Sequence, residues 1–172
     1  VNFMVDYLKT TGFKETTKLL FSQNNDFRLV ILKLITLSDY YIFGEINFAH
    51  LRLIGFLFFL STLFYFYKLG KFQSSKFYYF LPVPMLLISF AYAEINSLAM
   101  ESLSHFVVIF FAVSCLYYLF ETKKTVLPII LLFFCIYSNG NGLLMVPICI
   151  LGLLITKDYK RLGIWSLFCA LA

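Results

Sequence analysis

Ser138-Asn139-Gly140-Asn141-Gly142 is a short polar stretch between two apolar runs, residues 126–137 and 143–155. As one continuous helix, residues 126–155 would be roughly 45 Å long at ~1.5 Å per residue, too long for the ~30 Å hydrocarbon core of a bilayer. As two helices, each arm is only about 20 Å long and too short to cross that core fully. The stretch therefore predicts a helical hairpin whose turn lies below the membrane surface, where irregular backbone is tolerated only if it is buried in protein or lines a water-filled cavity.

The composition is that of an integral membrane protein. The 172 residues are 61% hydrophobic and only 13% charged. Because the chain begins at Val1 and stops at Ala172 inside an apolar run, we expect it to be a fragment of a larger protein. Cysteines occur within apolar spans without paired spacing, which predicts core thiols rather than disulfides or a metal site. They are Cys115, Cys135, Cys149 and Cys169.

Basic residues after Leu53 are confined to alternate loops. The loops at 94–101 and 138–142 contain none, whereas three other segments contain them all. These groups are Lys68, Lys71 and Lys76; Lys123 and Lys124; and Lys157, Lys160 and Arg161. This alternation is the positive-inside pattern and assigns the basic loops to the cytoplasm. The net charge of +5 is therefore a topology signal, and we expect membrane lipid, not nucleic acid, as the partner.

The pattern divides the chain into two parts, both α-helical. Residues 1–47 hold mixed charge and are predicted to form amphipathic helices outside the cytoplasm. Residues 48–172 are predicted to form a polytopic transmembrane helix bundle of about five spans plus a truncated sixth. The predicted spans are 49–67, 77–93, 102–120, the two arms of the short hairpin at 126–155, and a last span that opens at Leu162.

Residues 1–47 contain three predicted helices. The first two lie at 3–10 and 14–22, and Asp26 is a good N-cap for a third, which Gly44 ends. An apolar stripe on the third helix would place it on the membrane or against the bundle rather than across it. The stripe comprises Phe27, Val30, Ile31, Leu34 and Ile35, and both Arg28 and Lys33 lie off it. Asn47 can cap the next helix.

The predicted outer end collects polar groups that could bind a phosphate and activate a hydroxyl. They are Asn24, Asp26, Arg28, Glu94, Asn96, Glu101, His105, Asn139, Asn141 and Gly142. Gly142 would let the backbone approach a ligand closely, and free N–H groups at the start of the following helix favour an anion. The same residues also suit a simple capped hairpin. Glu94 follows an apolar run, and ionisable groups near membrane depth are often functional.

Other polar and aromatic residues leave alternatives open. Glu101 and His105 are four residues apart on one helix face, which suits a hydrogen-bonded pair or, with a third ligand that the sequence does not reveal, a divalent metal. His50 and Arg52 at the outer end of a span are expected to contact lipid headgroups. The 22 Phe and 12 Tyr residues suit a groove for a polyisoprenoid chain or plain lipid contact.

Four short motifs resemble those of bacterial polytopic proteins related to the GT-C glycosyltransferases. They are Ser22-Gln23-Asn24-Asn25-Asp26-Phe27-Arg28, Gly44-Glu45-Ile46-Asn47-Phe48, Tyr92-Ala93-Glu94-Ile95-Asn96 and Gly140-Asn141-Gly142-Leu143-Leu144. The chain departs from the family at Phe27, where the motif has a His, so Asp26 and Arg28 carry over by position. The family's first helix and the acidic pair after it would lie before Val1.

The resemblance implies a bacterial inner-membrane enzyme that moves a sugar from a polyprenyl-phosphate donor to an acceptor on the extracytoplasmic face. Asp26 or Glu94 would be the catalytic base, and a divalent metal could assist as a cofactor. The substrate-binding residues would be Arg28, Asn24, Asn96, Asn139, Asn141 and Gly142. The alternative function is a non-enzymatic transporter, flippase or assembly subunit for lipid-linked glycans. Neither reading specifies the sugar, the acceptor or the oligomeric state.

Overall fold

Helices make up most of the protein. The computed structural model describes residues 7, 12–22, 29–70, 77–87 and 99–171. Helix accounts for 85% of the structure, and no strand occurs in the described residues. The predicted all-α class is therefore confirmed.

The α-helices are α1 Phe13–Leu20, α2 Val30–Phe43, α3 Phe48–Leu69, α4 Pro82–Leu87, α5 Ala99–Leu116, α6 Val126–Ser138, α7 Met145–Ile155 and α8 Tyr159–Leu171. Tyr117–Glu121 continues α5 as a π-helix, and Phe77–Tyr79 and Gly140–Leu144 are 3₁₀ turns. Helices α3, α5, α6 and α7 match the predicted segments closely, whereas α8 begins three residues before the predicted Leu162. Of the segment predicted at 77–93, residues 88–93 lie outside the described part.

Local capping chemistry explains both ends of the α2–α3 turn. Gly44 ends α2 in the left-handed conformation, with φ +77°, and its N–H donates to the carbonyl oxygen of Tyr40 at 2.8 Å. Asn47 caps α3 by accepting the N–H of Ala49 at 2.9 Å. These two predictions are confirmed. The predicted start at Asp26 is wrong, because α2 begins at Val30 with Leu29 at the N-cap position; Asp26 itself lies outside the described residues.

The buried face of α2 differs from the predicted apolar stripe. Lys33, predicted to lie off the stripe, is only 3% exposed, whereas Leu34 is 43% exposed. Thr36 and Asp39 are also buried. The reason is that α2 packs against α1, α3, α5 and α6, so its buried arc is wider than one stripe and includes polar side chains that find partners there.

Helices α3 and α5 pack in parallel. Three pairs of residues show this, because the residue numbers increase together, by seven from one pair to the next, on both helices. Leu51 and Leu103 share one buried cluster, the ring centroids of Phe58 and Phe110 are 5.1 Å apart, and those of Tyr65 and Tyr117 are 5.4 Å apart. Seven residues are about two helical turns, so each pair falls on the same side of its helix. The start of α5 at Ala99 therefore lies at the end of the bundle at which α3 began.

The next two helices form the predicted hairpin. Helix α6 runs antiparallel to α5, with three polar links along its length: Cys115 Sγ to the Pro128 carbonyl (3.3 Å), Cys135 Sγ to the Val108 carbonyl (3.6 Å) and Asn139 Nδ2 to Ser104 Oγ (2.9 Å). Helix α7 turns back and places Gly152 against the Phe120 ring near the end of the π-helix. The thiols of Cys115, Cys135 and Cys149 are free and buried, as predicted; the side chain of Cys169 lies outside the described part.

Three basic groups meet at one end of the bundle, which we call the basic end. The Lys68 ammonium lies 5.5 Å from the Tyr117 ring centroid, and that of Lys124 lies 5.5 Å from the Tyr118 ring. Arg161 donates to the Leu119 carbonyl at 2.6 Å and to the Asp158 carboxylate at 2.7 Å. The hydrogen bonds that the Arg161 side chain and backbone N–H donate to the Asp158 carboxylate hold the pKa of Asp158 below its usual value.

Two helices of the described chain are long and apolar enough to cross a membrane. They are Phe48–Leu69, with 22 residues, and Leu103–Glu121, with 19. The hairpin arms are shorter: α6 has 13 residues and α7 has 11, or roughly 20 and 17 Å of helix. The prediction that neither arm alone matches a bilayer core is therefore confirmed by the helix lengths.

The close packing of the hairpin turn leads to a prediction for Gly142. A Cβ atom there would lie against the Cys135 carbonyl and 2.8 Å from the Ile136 nitrogen, both of them backbone atoms that cannot rotate away. We expect Gly142→Ala to lower the free energy of unfolding by about 1–3 kcal/mol, measured by chemical denaturation in detergent. Gly163→Ala is the matched control: nothing lies within 4 Å of its Cβ position, and alanine in a helix should be neutral or stabilising. Equal stability of the two variants would contradict the packing.

Candidate functional site

The end of the bundle opposite the basic end, which we call the polar end, contains those predicted site residues that the structure describes. Asn139, Asn141 and Gly142 lie in one turn, and His105 lies half-buried on α5, next to the Ser104 that bonds Asn139. Glu101 is also on α5, but its side chain is outside the described part. The other predicted residues, Asn24, Asp26, Arg28, Glu94 and Asn96, lie outside the described residues.

Asn139 ties the hairpin turn to α5. Its side chain is buried, and its Nδ2 donates to Ser104 Oγ while its Oδ1 accepts the Asn141 N–H at 3.1 Å. The Asn139 carbonyl accepts the Gly142 N–H at 2.8 Å. The amides of Asn141 and Gly142, which the sequence offered as donors for an anion, thus already donate within the turn.

The close approach that Gly142 permits is to the backbone of α6. Its Cα faces the Cys135 carbonyl, which occupies the space that a ligand would need on that side. Asn141, in contrast, is exposed, and its side chain is the polar group of the turn that faces outward. The geometry therefore accounts for Asn139 and Gly142 as turn-forming residues, while a substrate contact by the turn stays a prediction centred on Asn141.

The described residues do not by themselves fit a metal ion. Glu101 and His105 share a face of α5, as predicted from their spacing. No group of three or more His, Cys, Asp or Glu side chains among the described residues is arranged to hold a metal.

A pair that the sequence analysis did not single out lies at the α2–α3 turn. Asp39 on α2 and His50 on α3 are joined by a contact of 3.2 Å between Oδ1 and Nδ1. The other carboxylate oxygen, Oδ2, accepts the Asn47 N–H at 3.0 Å. The Asp39 side chain is 1% exposed, whereas that of His50 is 36% exposed. A buried carboxylate therefore holds an imidazole that reaches the surface.

The turn chemistry explains how these two residues meet. Asp39 lies five residues before Gly44, and His50 lies three residues after Asn47, so both side chains stand within about one helical turn of a tight reversal. Gly44 and Asn47 were identified from the sequence as the two helix ends. The sequence therefore held one signal for this pair: Asp39 and His50 lie on either side of the same predicted turn.

Lys33 forms the second buried polar centre. Its ammonium lies 2.8–3.3 Å from the carbonyl oxygens of Leu19, Leu20 and Ser22, at the C-terminal end of α1. The carbonyl groups that a helix C-terminus leaves unpaired accept hydrogen bonds from a cation at this position and stabilise it. Burial nevertheless lowers the pKa of Lys33, because the charged form loses its hydration. The lysine therefore joins α1 to α2.

The lysine also fixes one boundary of residues 23–28, which contain Asn24, Asp26 and Arg28. Ser22, just before them, is held by Lys33, and Leu29, just after them, packs on the cluster of Leu51 and Leu103 at the polar end. The Phe21 ring packs edge-to-face against the Tyr137 ring of α6, close to the hairpin turn, with 6.0 Å between the ring centroids. Ser22 and Leu29, the described residues on either side of the predicted catalytic segment, therefore both lie near the polar end.

Comparison of this chain with protein families, curated proteins and solved structures finds no match. The resemblance to the GT-C glycosyltransferases therefore stays a prediction based on the motifs.

The buried carboxylate leads to a stability prediction. We expect Asp39→Ala to lower the free energy of unfolding by about 1–3 kcal/mol, because the Asn47 N–H and His50 Nδ1 both lose their partner. Ser38→Ala, at an exposed neighbouring position, is the matched control and should stay within about 0.5 kcal/mol of wild type. Denaturation of both variants in the same detergent measures the difference. An Asp39→Ala protein as stable as Ser38→Ala would show that the pair does not hold the turn.

Proposed function

We propose that the chain is part of an integral membrane protein and forms a polytopic bundle, with residues 1–47 outside the cytoplasm. Support comes from an exposed apolar stripe along α3, whose spacing matches one face of a helix. The stripe consists of Leu53, Phe56, Leu57, Leu60 and Phe64. Water-soluble proteins rarely expose an apolar surface of this extent, whereas lipid acyl chains would cover it. The basic end agrees with a cytoplasmic location.

Cysteine labelling tests this orientation. Glu45 at the polar end and Lys124 at the basic end are both exposed, and three of the native thiols are buried. In a Cys169→Ser background, we expect a membrane-impermeant maleimide to label Glu45→Cys in intact bacterial cells. Lys124→Cys should react only after the membrane is opened. Labelling of Lys124→Cys alone in intact cells would reverse the proposed topology, and equal labelling of both would argue against a spanning bundle.

We further propose that this membrane protein is a glycosyltransferase of the GT-C type, which moves a sugar from a polyprenyl-phosphate donor to a hydroxyl acceptor. The observation that carries this proposal is the gathering of polar groups at the polar end. The exposed Asn141, the Asp39–His50 pair and both boundaries of residues 23–28 all belong to that end. We propose that this end is extracytoplasmic, and the resemblance implies that the polyprenyl-phosphate donor is used on the extracytoplasmic face.

The transfer would proceed in one displacement that inverts the anomeric carbon. The acceptor oxygen bonds to that carbon while the bond from the carbon to the phosphate oxygen breaks, and the polyprenyl phosphate leaves with the electron pair. Arg28 is suited to the phosphate, because a guanidinium donates two parallel hydrogen bonds to it. Asn141 would add a neutral contact. Asp26 and Glu94 are the carboxylates available to accept the hydroxyl proton, and a positioned base typically contributes ~10²- to 10⁴-fold.

Release of polyprenyl phosphate from a labelled polyprenyl-phosphate sugar tests the reaction class. Membranes containing the full-length protein should release it, and Asp26→Asn or Glu94→Gln should reduce release by about 10²-fold or more while the protein remains folded and inserted. Glu15→Gln, an exposed carboxylate on α1, is the matched control and should retain full activity. No release with any donor and acceptor would favour the non-enzymatic alternative, a transporter, flippase or assembly subunit. Release that survives both substitutions would refute the assigned bases.

A further inference from the structure

The Asp39–His50 pair has a geometry that defines the protonation of the imidazole. An ionised carboxylate only accepts hydrogen bonds, so the nitrogen that faces Asp39 Oδ1 at 3.2 Å must carry a proton. That nitrogen is Nδ1. In the neutral ring the other nitrogen, Nε2, then has a free lone pair. The buried aspartate thus directs a basic nitrogen of His50 away from itself.

The surroundings keep this arrangement in place. Asp39 cannot turn away readily, because its Oδ2 is held by the Asn47 N–H and its side chain is buried. The centroid of the Phe43 ring lies 4.3 Å from the centroid of the imidazole, so the Phe43 ring limits rotation of the imidazole. Within the described part of the chain, the hydrogen bond of His50 uses Nδ1, and the side chain is 36% exposed.

Capping of α3 does not require the histidine. Asn47 already supplies the capping oxygen to the Ala49 N–H, and Asp39 satisfies the Asn47 N–H with Oδ2. An apolar or amide side chain at position 50 would leave those bonds intact. The feature that histidine adds is a half-exposed base with a buried carboxylate behind it, which is the arrangement used for general base catalysis.

We infer that His50 is the catalytic base for the acceptor hydroxyl and that Asp39 is its positioning residue. This inference rests on the proposed transferase. As the acceptor oxygen bonds to the anomeric carbon and polyprenyl phosphate departs, the hydroxyl proton moves to His50 Nε2. The ring becomes an imidazolium, which the Asp39 carboxylate stabilises, and the proton then passes to water. His50, rather than Asp26 or Glu94, would then be the group that accepts the proton.

The tautomer gives a test that does not depend on activity. A ¹⁵N-histidine spectrum of the full-length protein in detergent, compared with the spectrum of His50→Gln, identifies the signals of His50 as those that the substitution removes. At a pH where imidazoles are neutral, we expect protonated Nδ1 and unprotonated Nε2. Asp39→Asn should reverse this, because the amide N–H can donate to Nδ1 while its oxygen still accepts the Asn47 N–H. A wild-type ring protonated on Nε2 would overturn the inference.

Turnover in the polyprenyl-phosphate release assay gives the second test. His50→Gln should lower kcat by about 10²-fold or more with little change in KM, and Asp39→Asn should lower kcat in the same direction. The double variant should lose no more than His50→Gln alone, because the two residues act as one unit. Ser38→Ala is the control with unchanged turnover.

The outcomes separate the two proposals. If wild type releases polyprenyl phosphate and His50→Gln retains that rate, the role of His50 is refuted and the transferase stands. If wild type releases nothing with any donor, both the transferase and the catalytic role of His50 fall, whatever the tautomer. Release that is lost in His50→Gln, with the expected tautomer, supports both.

Discussion

The parallel packing of α3 against α5 is the constraint on which the two ends of the molecule depend. Two helices that run in the same direction need a connection that returns, and the aromatic pairs from Phe58 to Tyr65 fix their register. Helix α6 is antiparallel to α5 and α7 turns back again, so the α6–α7 turn lies at the same end as the α2–α3 turn, and the α5–α6 turn lies at the opposite end. The separation of the basic end from the Asp39–His50 pair follows from this order and not from any single contact.

Sequence alone was sufficient for features that depend on neighbouring residues. Gly44 and Asn47 mark helix ends because a left-handed glycine and a capping amide act within a few residues of themselves. Burial of Lys33 was not predictable, since it depends on the carbonyl groups at the end of α1, which only the tertiary packing brings close. The contact between Asp39 and His50 likewise needs the angle between two helices, which capping residues do not specify.

The polar end shows how one group of residues can serve the fold and still leave chemistry available. Asn139 and Gly142 are used by the turn itself, because an irregular segment packed among apolar helices must satisfy its own amides. Sequence reasoning located this turn and left open whether its polar atoms bind a ligand or cap the hairpin; the partner Ser104 lies 35 residues away and carried no sequence signal. Among the described residues of the polar end, Asn141 is exposed and His50 is partly exposed, so both can still contact a ligand.

The register of the helices also has a consequence for the order of folding. Partners between α5 and α6 lie close in sequence, as Cys115 and Pro128 show, and the connection that joins them is short. Contacting residues of α3 and α5, such as Phe58 and Phe110, are 52 positions apart, so their contact closes a much longer loop of chain. Loop-closure entropy rises with that length, so the α5–α6–α7 unit should assemble first and α3 should dock onto a preformed surface. The Asp39–His50 turn, carried on α2 and α3, would then reach its final position in the last step.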